Sequence, residues 1–460
     1  MKRQLLLAAP LAALFFYPAH AAANSGGNTT VNAAHQQAFS LPAANMPMAE
    51  RLNFSVGNSF FRNPWVIAPA STTARDGLGP LFNTNGCQNC HIRDGRGHPP
   101  EFDGDNAVSM LVRLSVPAAS NKDREALERL GVVPEPHYGD QLQDFAIPGS
   151  KPEGKVVIRY HNRTKRLADG TEVQLRQPSV EITELHYGPL ADNVQISARI
   201  APPMIGLGLL AAIPEQTLLG FADPDDINGD GISGRTNRVW SAEQQQTVLG
   251  RFGWKAGQPS LRQQNAAAFH GDMGLTTSLF SDTPCGPTQT TCRAAPHGGK
   301  PEVSDNILDK VTFYTANLAV PARRNADDPQ VKAGQQQFRD AGCQSCHIET
   351  VRTGPASHPW LSEQMISPYT DLLLHDMGEG LADHRSEFGA NGQEWRTPPL
   401  WGIGLTEIVS GNAYYLHDGR ARTLLEAILW HGGEATTSRK YVENMSSQQR
   451  NALMAFLRSL

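Results

Sequence analysis

The chain has 460 residues, of which 40% are hydrophobic and 18% are charged, a composition that supports packed cores and excludes a disordered chain. Its 40 basic and 45 acidic residues give a net charge of −5, so no basic excess indicates a nucleic acid partner. At roughly 150 residues per domain, the length predicts two or three domains.

The first 21 residues have the features of a secretory signal peptide. Lys2 and Arg3 precede an apolar run over residues 5–17, and Ala19-His20-Ala21 has the small residues of a cleavage site. The run is short for a membrane-spanning helix, and an uncleaved anchor is the alternative. We therefore predict cleavage near Ala21, export to the periplasm and no membrane span in the mature protein, with residues 22–48 as a flexible leader.

Six cysteines follow in a chain that is predicted to enter an oxidising compartment. Cys285 and Cys292 lie in a loop rich in threonine, proline and glycine, where a local disulfide is expected. The other four form two frames of the same pattern, Cys87-Gln88-Asn89-Cys90-His91 and Cys343-Gln344-Ser345-Cys346-His347.

The two frames predict covalent attachment of haem. Two thiols three positions apart on a helical turn reach the two vinyl groups of one porphyrin, and the following histidine presents its imidazole to the iron. Zinc ribbons and thioredoxin-like dithiols are the alternatives. Zinc would pair the two frames, which lie far apart in the chain, and a dithiol site needs no histidine. The predicted attachment residues are Cys87, Cys90, Cys343 and Cys346, and the predicted axial ligands are His91 and His347.

The surroundings of the two frames repeat. Phe82 and Gly86 precede the first frame at the same spacing as Phe338 and Gly342 precede the second. Helix-capping patterns also begin at corresponding places after each frame. Two related haem domains are the simplest explanation of this repeat.

We therefore predict a mainly α fold of two cytochrome c-like haem domains related by internal duplication. The N-terminal domain is expected to cover residues 49–320 and the C-terminal domain residues 321–460. The first domain carries an insert at about residues 100–235. Two strand-like runs in the insert, Lys155–Tyr160 and Glu172–Leu175, predict a β-hairpin.

Parts of the chain resemble a known group of haem enzymes. The stretch Tyr415-Leu416-His417-Asp418-Gly419-Arg420-Ala421 looks like bacterial dihaem cytochrome c peroxidases and their relative that matures methylamine dehydrogenase. The closer similarity is to the di-haem oxidoreductase family of peroxidase type, sometimes labelled thiol oxidoreductases. The segments that carry this similarity are 138–142, 206–210, 250–256 and 372–378.

The resemblance implies roles for three residues near the N-terminal haem. Trp254 matches a tryptophan between the haems, Gln264 a distal glutamine, and Asp272 a distal glutamate of the related peroxidases. A distal carboxylate can take a proton from peroxide and return it to the leaving oxygen, and an amide can hold the peroxide by hydrogen bonds. The alternatives are a cap or loop carboxylate for Asp272 and a core aromatic for Trp254.

The C-terminal haem departs from the family pattern. The relatives place an axial methionine or tyrosine where this chain has Leu416, which cannot bind iron. Met377 is the predicted substitute, with a core methionine as the alternative, and His375 and Tyr415 are further candidates. If no residue replaces the lost ligand, this haem is five-coordinate and the roles of the two haems are reversed.

Three other side chains are candidates for contact with the haems. Arg420, and by analogy Arg251, are expected to hold haem propionates, with a plain surface role as the alternative. His98 follows the first frame closely and is a candidate for closing the distal side of that haem. A surface histidine beside two prolines is the alternative for His98.

A calcium loop is the last predicted site. The run Asp226-Ile227-Asn228-Gly229-Asp230-Gly231 places oxygen ligands at Asp226, Asn228 and Asp230, with glycine at the turn. The bidentate glutamate that normally ends such a loop is replaced by Asn237. The resemblance implies one Ca2+ between the haem domains, and a polar turn without a metal is the alternative.

The sequence thus predicts a periplasmic dihaem c-type oxidoreductase of peroxidase type. A periplasmic electron-donor protein or small cytochrome would supply electrons, and hydrogen peroxide or a protein substrate would receive or donate them. An electron-transfer cytochrome without enzymatic activity, with both irons six-coordinate, is the main alternative. Dithiol oxidation is a third reading, which the family label alone suggests.

Overall fold

The computed structural model describes residues 24–460 apart from 103, 104, 106 and 107. The predicted signal peptide therefore lies outside the described residues. The helices are α1 (Arg51–Arg62), α2 (Cys87–Cys90), α3 (Arg124–Leu130), α4 (Leu207–Ala211), α5 (Glu215–Phe221), α6 (Leu261–Met273), α7 (Thr290–Arg293), α8 (Asp305–Ala316), α9 (Pro329–Asp340), α10 (Thr406–Ser410), α11 (Leu424–Trp430), α12 (Thr436–Asn444) and α13 (Ser447–Ser459).

Antiparallel strands join in pairs, so the described part of the chain has six two-stranded sheets and no larger one. The strands are β1 (Leu81–Phe82), β2 (Met110–Ser115), β3 (Phe145–Ala146), β4 (Lys155–Arg166), β5 (Glu172–Thr183), β6 (Gln195–Ile200), β7 (Arg238–Ser241), β8 (Gln246–Leu249), β9 (Val351–Arg352), β10 (Met365–Ile366), β11 (Leu374–Asp376) and β12 (Glu394–Arg396). The pairs are β1–β3, β2–β6, β4–β5, β7–β8, β9–β10 and β11–β12.

The prediction of a mainly α fold is wrong. About 31% of the protein is helical and about 18% is strand, distributed over these small sheets. Most of the strands have two to four residues, which is too short for an alternating apolar pattern to be read from the sequence. They form where loops lie side by side and pair the backbone groups that would otherwise be buried without partners.

Helices α1 and α8 cross closely in the first half of the protein. A Cβ atom placed on Gly57 would lie 2.2 Å from Lys310 O, so the crossing requires a residue without a side chain. One turn further along each helix, the rings of Phe61 and Tyr314 have centroids 5.2 Å apart. Phe61 also lies 6.1 Å from the ring of His91, so this helix pair supports the first frame.

Helices α9 and α13 repeat this arrangement in the second half. A Cβ atom on Gly334 would lie 1.9 Å from Ala452 O. One turn later the rings of Phe338 and Phe456 have centroids 5.2 Å apart, and Phe338 lies 6.2 Å from the ring of His347. The two helix pairs are therefore built on the same contacts, residue for residue.

This geometry corrects the predicted alignment of Phe82 with Phe338. Phe82 lies in β1, where it stacks on Phe145 with ring centroids 5.8 Å apart. The structural counterpart of Phe338 is Phe61, because each contacts the histidine of its own frame. The first half has an extra segment between α1 and its frame. The two equivalent phenylalanines therefore lie at different sequence distances from their frames, and the spacing did not match them.

The insert forms the predicted hairpin and extends it. Strands β4 and β5 pair from Lys155 with Thr183 to Arg166 with Glu172, well beyond the predicted runs. Apolar side chains of the hairpin and of β2 and β6 belong to or pack on a core cluster that includes α9, α11 and α13. The insert therefore packs against the C-terminal half of the chain rather than only against the half that contains it.

The predicted flexible leader packs into the fold in its described part, residues 24–48. Ala38, Phe39 and Ala43 are almost completely buried. Val31 forms a bridge to Pro321, and the N–H of Ala43 donates to Asn317 O at 2.9 Å. This segment is an integral layer over the junction of the two halves, so the leader prediction fails for these residues.

Local predictions are observed at several places. Cys285 and Cys292 form the expected disulfide. The side chains of Ser260 and Thr423 cap α6 and α11, and Ser446 begins α13 with a capping box. Within the described residues, no helix combines the length and apolar character needed to cross a membrane.

Candidate functional site

The first frame forms a single helical turn that orients its histidine. Cys87–Cys90 is α2, and the His91 N–H donates to Cys87 O at 3.0 Å. The ring Nδ1 lies 2.8 Å from Pro202 O. A carbonyl only accepts, so Nδ1 carries the proton and Nε2 is left with its lone pair. Burial lowers the pKa of His91 to about 4, which keeps the ring neutral.

The second frame has the same arrangement on different elements. Residues Cys343–Ser345 form a 3-10 turn, and the His347 N–H donates to Cys343 O at 3.0 Å. Its Nδ1 lies 2.9 Å from Tyr369 O, and burial lowers the pKa of His347 to about 4. Two neutral imidazoles are thus fixed by backbone carbonyls with Nε2 available, the usual orientation of a metal-binding histidine.

The thiols of both frames fit haem attachment better than dithiol chemistry. None of the four is in a disulfide, although the protein forms one elsewhere. Burial raises the pKa of Cys87 to about 12, with the Asp272 carboxylate adding to the shift, and burial raises that of Cys343 to about 12. A redox-active dithiol needs a lowered thiol pKa, so these cysteines lack that property.

The Asp272 carboxylate lies beside the first frame in a buried polar network. It is close enough to raise the pKa of both Cys87 and Cys90. Gln141 Nε2 donates to Asp272 Oδ1 at 3.0 Å and to Asn83 Oδ1 at 2.6 Å. Burial raises the pKa of Asp272 above its usual value. The predicted acid–base group therefore lies near the first frame and is held by an amide.

The same network contains a second carboxyl group with a strongly raised pKa. Glu153 is 2% exposed and accepts hydrogen bonds from the Gln143 N–H at 2.6 Å and from Gln289 Nε2 at 2.5 Å. Burial raises its pKa to about 8. Gln143 in turn donates through Nε2 to Gly271 O, next to Asp272. The sequence analysis did not identify Glu153, because neither its spacing nor its surroundings indicate that it is buried.

Trp254 lies between residues of the two halves. Its Nε1 donates to Ile200 O at 2.9 Å, and its ring meets the ring of His417 edge to face at 6.5 Å between centroids. The Arg96 guanidinium lies 5.6 Å from the Trp254 ring centroid. The bridging position expected for Trp254 thus has contacts to both the first-frame region and the C-terminal half.

Two residues at and just after the end of β6, Ile200 and Pro202, connect these groups. Ile200 O accepts from Trp254, the Ile200 N–H donates to His417 O at 2.7 Å, and Pro202 O holds His91. One short segment therefore positions the first-frame histidine, the tryptophan and the loop of the second half. No sequence signal revealed this segment, because its contacts use backbone atoms.

His417 continues the aromatic contact into the second half. Its ring stacks on that of Trp395, with centroids 3.7 Å apart and planes within 10°. Burial lowers the pKa of His417 to about 4, so the stacked ring is neutral. Trp254, His417 and Trp395 therefore form one buried aromatic series, of which the sequence analysis assigned a role to Trp254 alone.

Gln264 lies on α6 near Trp254, in the expected region. It is half-buried, and a Cβ atom added to Gly253 would lie 3.8 Å from Gln264 Oε1. Helix α6 also carries Asp272. The structure thus brings Gln264 close to the backbone beside Trp254, while Asp272 lies near the other end of the same helix.

His375 lies beside the second frame between two carboxylates. Its Nε2 is 2.8 Å from Asp371 Oδ2 and its Nδ1 is 2.7 Å from Glu434 Oε2, and Nδ1 is 3.6 Å from Cys346 Sγ. Burial favours the neutral ring, but the two carboxylates outweigh it and raise the pKa of His375 to about 12. Both ring nitrogens are therefore occupied, which excludes His375 as an axial ligand in this arrangement.

Two candidate ligands of the second iron remain, Met377 and Tyr415, and Leu416 stands where the relatives have a ligand. Leu416 and Met377 both pack against the core cluster to which Cys343 is also adjacent. Leu416 has a positive φ of 68°, and its carbonyl accepts from Arg96. Tyr415 is buried, and the Arg96 guanidinium lies 6.0 Å from the centroid of its ring.

The arginines that were expected to hold propionates have protein partners. Arg420 donates to Asp418 through Nε and Nη2 at 2.8 and 2.7 Å and to the Gly380 carbonyl. Arg251 Nη1 donates to Ile213 O at 2.7 Å. Both guanidinium groups thus have partners within the protein, and their contact with haem propionates stays a prediction.

A cavity of about 450 Å³ between the hairpin and the C-terminal half is lined by other cations. Arg163 and Lys165 of the hairpin line it together with Arg439 and the buried ring of Trp430. Lys165 and Arg439 are both within reach of Glu443.

The residues predicted to bind calcium form an exposed polar loop. Asn228 and Asp230 side chains accept from N–H groups two residues further on, at 2.8 and 2.9 Å, and Asp226 accepts from Gly231. Among the described residues, the cluster of three metal-ligand side chains is Cys346, Asp371 and His375, not this loop. The calcium site remains a prediction.

His98 stays close to its own chain segment. Its Nδ1 lies 2.9 Å from Pro99 O, and its N–H donates to Ser109 Oγ. It is half-buried. These contacts leave its predicted role at the first haem open.

Comparison with known proteins extends this picture. Among solved structures, hydrazine synthase of Kuenenia stuttgartiensis, studied under 20 bar of xenon, aligns over 100% of both chains. Its identity is 13% and its TM-score is 0.34, which is too low to support an argument about fold. A search of the curated proteins finds no match. The family model "Di-haem oxidoreductase, putative peroxidase" matches residues 19–460. Because this match covers almost the whole chain, including both histidine frames, the chain belongs to the di-haem oxidoreductase family, and its cofactors are haems.

Proposed function

We propose that the protein is an exported dihaem c-type oxidoreductase of peroxidase type that works in the periplasm. The observation that carries the proposal is the repeated geometry at the two frames. In each, two thiols outside any disulfide precede an imidazole whose Nδ1 is fixed by a backbone carbonyl, at Pro202 for His91 and at Tyr369 for His347. Each frame also lies under its own crossed helix pair.

The chain would hold one haem at Cys87, Cys90 and His91, and the other at Cys343, Cys346 and His347. When bound, the haems supply electron storage and, where an iron keeps an open position, a place for peroxide. The fixed Nδ1–H bonds keep each ring in the ligating tautomer and raise the basicity of Nε2.

Protons are handled by the polar network of the first half. Asp272 would take a proton from the proximal oxygen of hydrogen peroxide and deliver it to the distal oxygen as the O–O bond breaks. Its raised pKa suits this exchange, because an acid–base group works best when its pKa lies nearer the working pH. Gln141 orients the carboxylate, and Gln264 is available as a hydrogen-bonding amide.

Electrons would travel from a periplasmic donor protein or small cytochrome through the second half to the first. The aromatic series Trp395, His417 and Trp254 offers a buried path, with ring centroids 3.7 and 6.5 Å apart. Because Ile200 and Pro202 hold Trp254 and His91 from one segment, the end of the path is fixed relative to the first frame.

The test is haem counting combined with spectroscopy on the protein purified after export. Pyridine haemochrome analysis should give two covalent haems per chain, and the paired variants C87A/C90A and C343A/C346A should each lose one. Electron paramagnetic resonance of the ferric protein should show one high-spin haem that responds to cyanide. Fewer than two haems, or two low-spin haems inert to cyanide and peroxide, would overturn the proposal; the second result would favour an electron-transfer cytochrome.

A further inference from the structure

The second half contains a histidine with the same features as the two frame histidines. His431 directly follows α11 and is half-buried. Its Nδ1 lies 2.8 Å from Ala427 O. Because the carbonyl can only accept, Nδ1 carries the proton and Nε2 keeps its lone pair. Burial lowers the pKa of His431, so the ring is neutral and able to bind a metal.

The loop that follows His431 is tied to the second frame. Glu434 Oε2 lies 2.7 Å from His375 Nδ1, and the same nitrogen lies 3.6 Å from Cys346 Sγ. Glu434, three positions after His431, thus contacts the His375 ring, which in turn reaches the cysteine next to His347.

His431 is a neighbour of the predicted ligand Met377. A Cβ atom on Gly432 would lie 2.8 Å from Met377 O, and one on Gly433 would lie 2.2 Å from Asp376 O. The backbones of the two loops thus touch directly, and glycine is required at both contacts. Of the two candidate side chains, the imidazole is the one whose orientation is fixed by a hydrogen bond at its other nitrogen, which prepares it for ligation.

We propose that His431 Nε2 is the second axial ligand of the C-terminal haem iron, which is therefore coordinated by His347 and His431. This inference rests on the proposed attachment of haem at the second frame. It explains how the chain tolerates Leu416 where a ligand would stand in its relatives. With both axial positions filled, the second haem can only transfer electrons, and reaction with peroxide is confined to the first haem.

The test compares the ferric holoproteins of the wild type, His431→Ala and Met377→Ala. We expect electron paramagnetic resonance to show one low-spin bis-histidine haem in the wild type and in Met377→Ala. In His431→Ala that signal should disappear and a second high-spin signal should replace it. Added imidazole should restore the low-spin signal, since it can occupy the space left by the side chain. Two haems per chain and an unchanged circular dichroism spectrum confirm that the variants are folded.

A second variant, His431→Met, tests the same assignment without leaving an empty space where the imidazole was. It should replace the bis-histidine signal with the near-infrared absorption of a methionine–iron bond. Loss of the bis-histidine signal in Met377→Ala, or persistence of that same bis-histidine signal in both His431 variants, would overturn the inference. Such a result with two haems present leaves the proposed function intact, whereas fewer than two haems in the wild type would overturn the proposed function itself.

Discussion

The two frame regions are alike in the elements that hold the frame histidine and differ in the carboxyl groups that surround it. Each has a glycine at a helix crossing, Gly57 or Gly334, and a phenylalanine that packs against the frame histidine, Phe61 or Phe338. Each histidine is fixed through Nδ1 by a backbone carbonyl. The parts that hold an iron ligand in place are thus the same in the two halves.

The carboxyl groups around the two frames have pKa values that are shifted in opposite directions. Beside the first frame, burial raises the pKa of Asp272 and Glu153, so these groups hold protons readily. Beside the second frame, burial also opposes ionisation of Glu434, but His375 overrides it and lowers the pKa of that carboxylate. The first region is therefore suited to proton exchange, and the second keeps its charges fixed, which fits the electron relay that we propose for it.

The largest effect should come from removing the proton-exchanging group of the first region. Asp272→Asn keeps an oxygen that can accept from Gln141 but cannot exchange a proton. We expect peroxide turnover (kcat) to fall roughly 10²–10⁴-fold, the usual contribution of general acid–base catalysis. Because the carboxylate acts in its ionised form, wild-type activity should also fall as the pH drops through the raised pKa, and the variant should lack this acid limb. Steady-state kinetics against pH measures both.

The matched control is Asp192→Asn, which changes an exposed carboxylate to the same amide. Its turnover and pH profile should equal those of the wild type. The haem spin states should be unchanged in both variants, because neither residue is an iron ligand. An Asp272→Asn variant with normal kcat and an intact acid limb would remove the distinction between the two regions.

The next effect tests whether the two helix crossings are equivalent. Gly57→Ala and Gly334→Ala each force a methyl group into a backbone carbonyl, at 2.2 Å from Lys310 and 1.9 Å from Ala452. Overpacking costs about 1–3 kcal/mol, which outweighs the gain of about 1 kcal/mol from replacing a helical glycine. Urea unfolding of the holoproteins should show both variants destabilised, each by up to about 2 kcal/mol.

Gly220→Ala is the control for this pair. Gly220 also lies in a helix, α5, but a Cβ atom there would meet nothing within 4 Å. The same substitution should therefore raise the free energy of unfolding by about 0.5–1 kcal/mol. If only one of the two crossing glycines proved sensitive, the halves would not share the scaffold that their contacts suggest.

The sequence predicted the features whose causes are local. The haem frames, the disulfide of Cys285 and Cys292, and the hairpin of β4 and β5 each depend on neighbouring residues, and the structure contains the disulfide and the hairpin. The placement of Asp272 beside the first frame was predicted as well, although that inference came from family resemblance rather than from spacing.

The features that the sequence did not reveal depend on contacts between distant segments. The carbonyls of Pro202 and Tyr369 are backbone atoms, and any residue could supply them. Phe61 escaped detection because the segment between α1 and the first frame has no counterpart before the second frame. The partners of His375 come together only when the loop at Glu434 folds back. The short strands that contradicted the mainly α prediction arise in the same way, from loops that meet far along the chain.

The last effect is a dependence of the unfolding free energy on pH, which comes from Glu153, deep in the first region. Its pKa is 4.5 when unfolded and about 8 when folded. Between these values the unfolded chain releases the proton and the folded protein retains it, so stability is highest below pH 4.5 and falls as the pH rises towards 8. The expected loss is about 1 kcal/mol per pH unit. Glu153→Gln should therefore flatten the plot of unfolding free energy against pH by about that slope between pH 5 and 8.

The control is Asp169→Asn, which removes a group whose pKa is lowered to about 2 by its hydrogen bonds to Arg450 and Thr171. This variant should leave the slope between pH 5 and 8 unchanged. Parallel curves for the wild type and Glu153→Gln would mean that the first region holds no proton at Glu153, and its contrast with the second region would then rest on Asp272 alone.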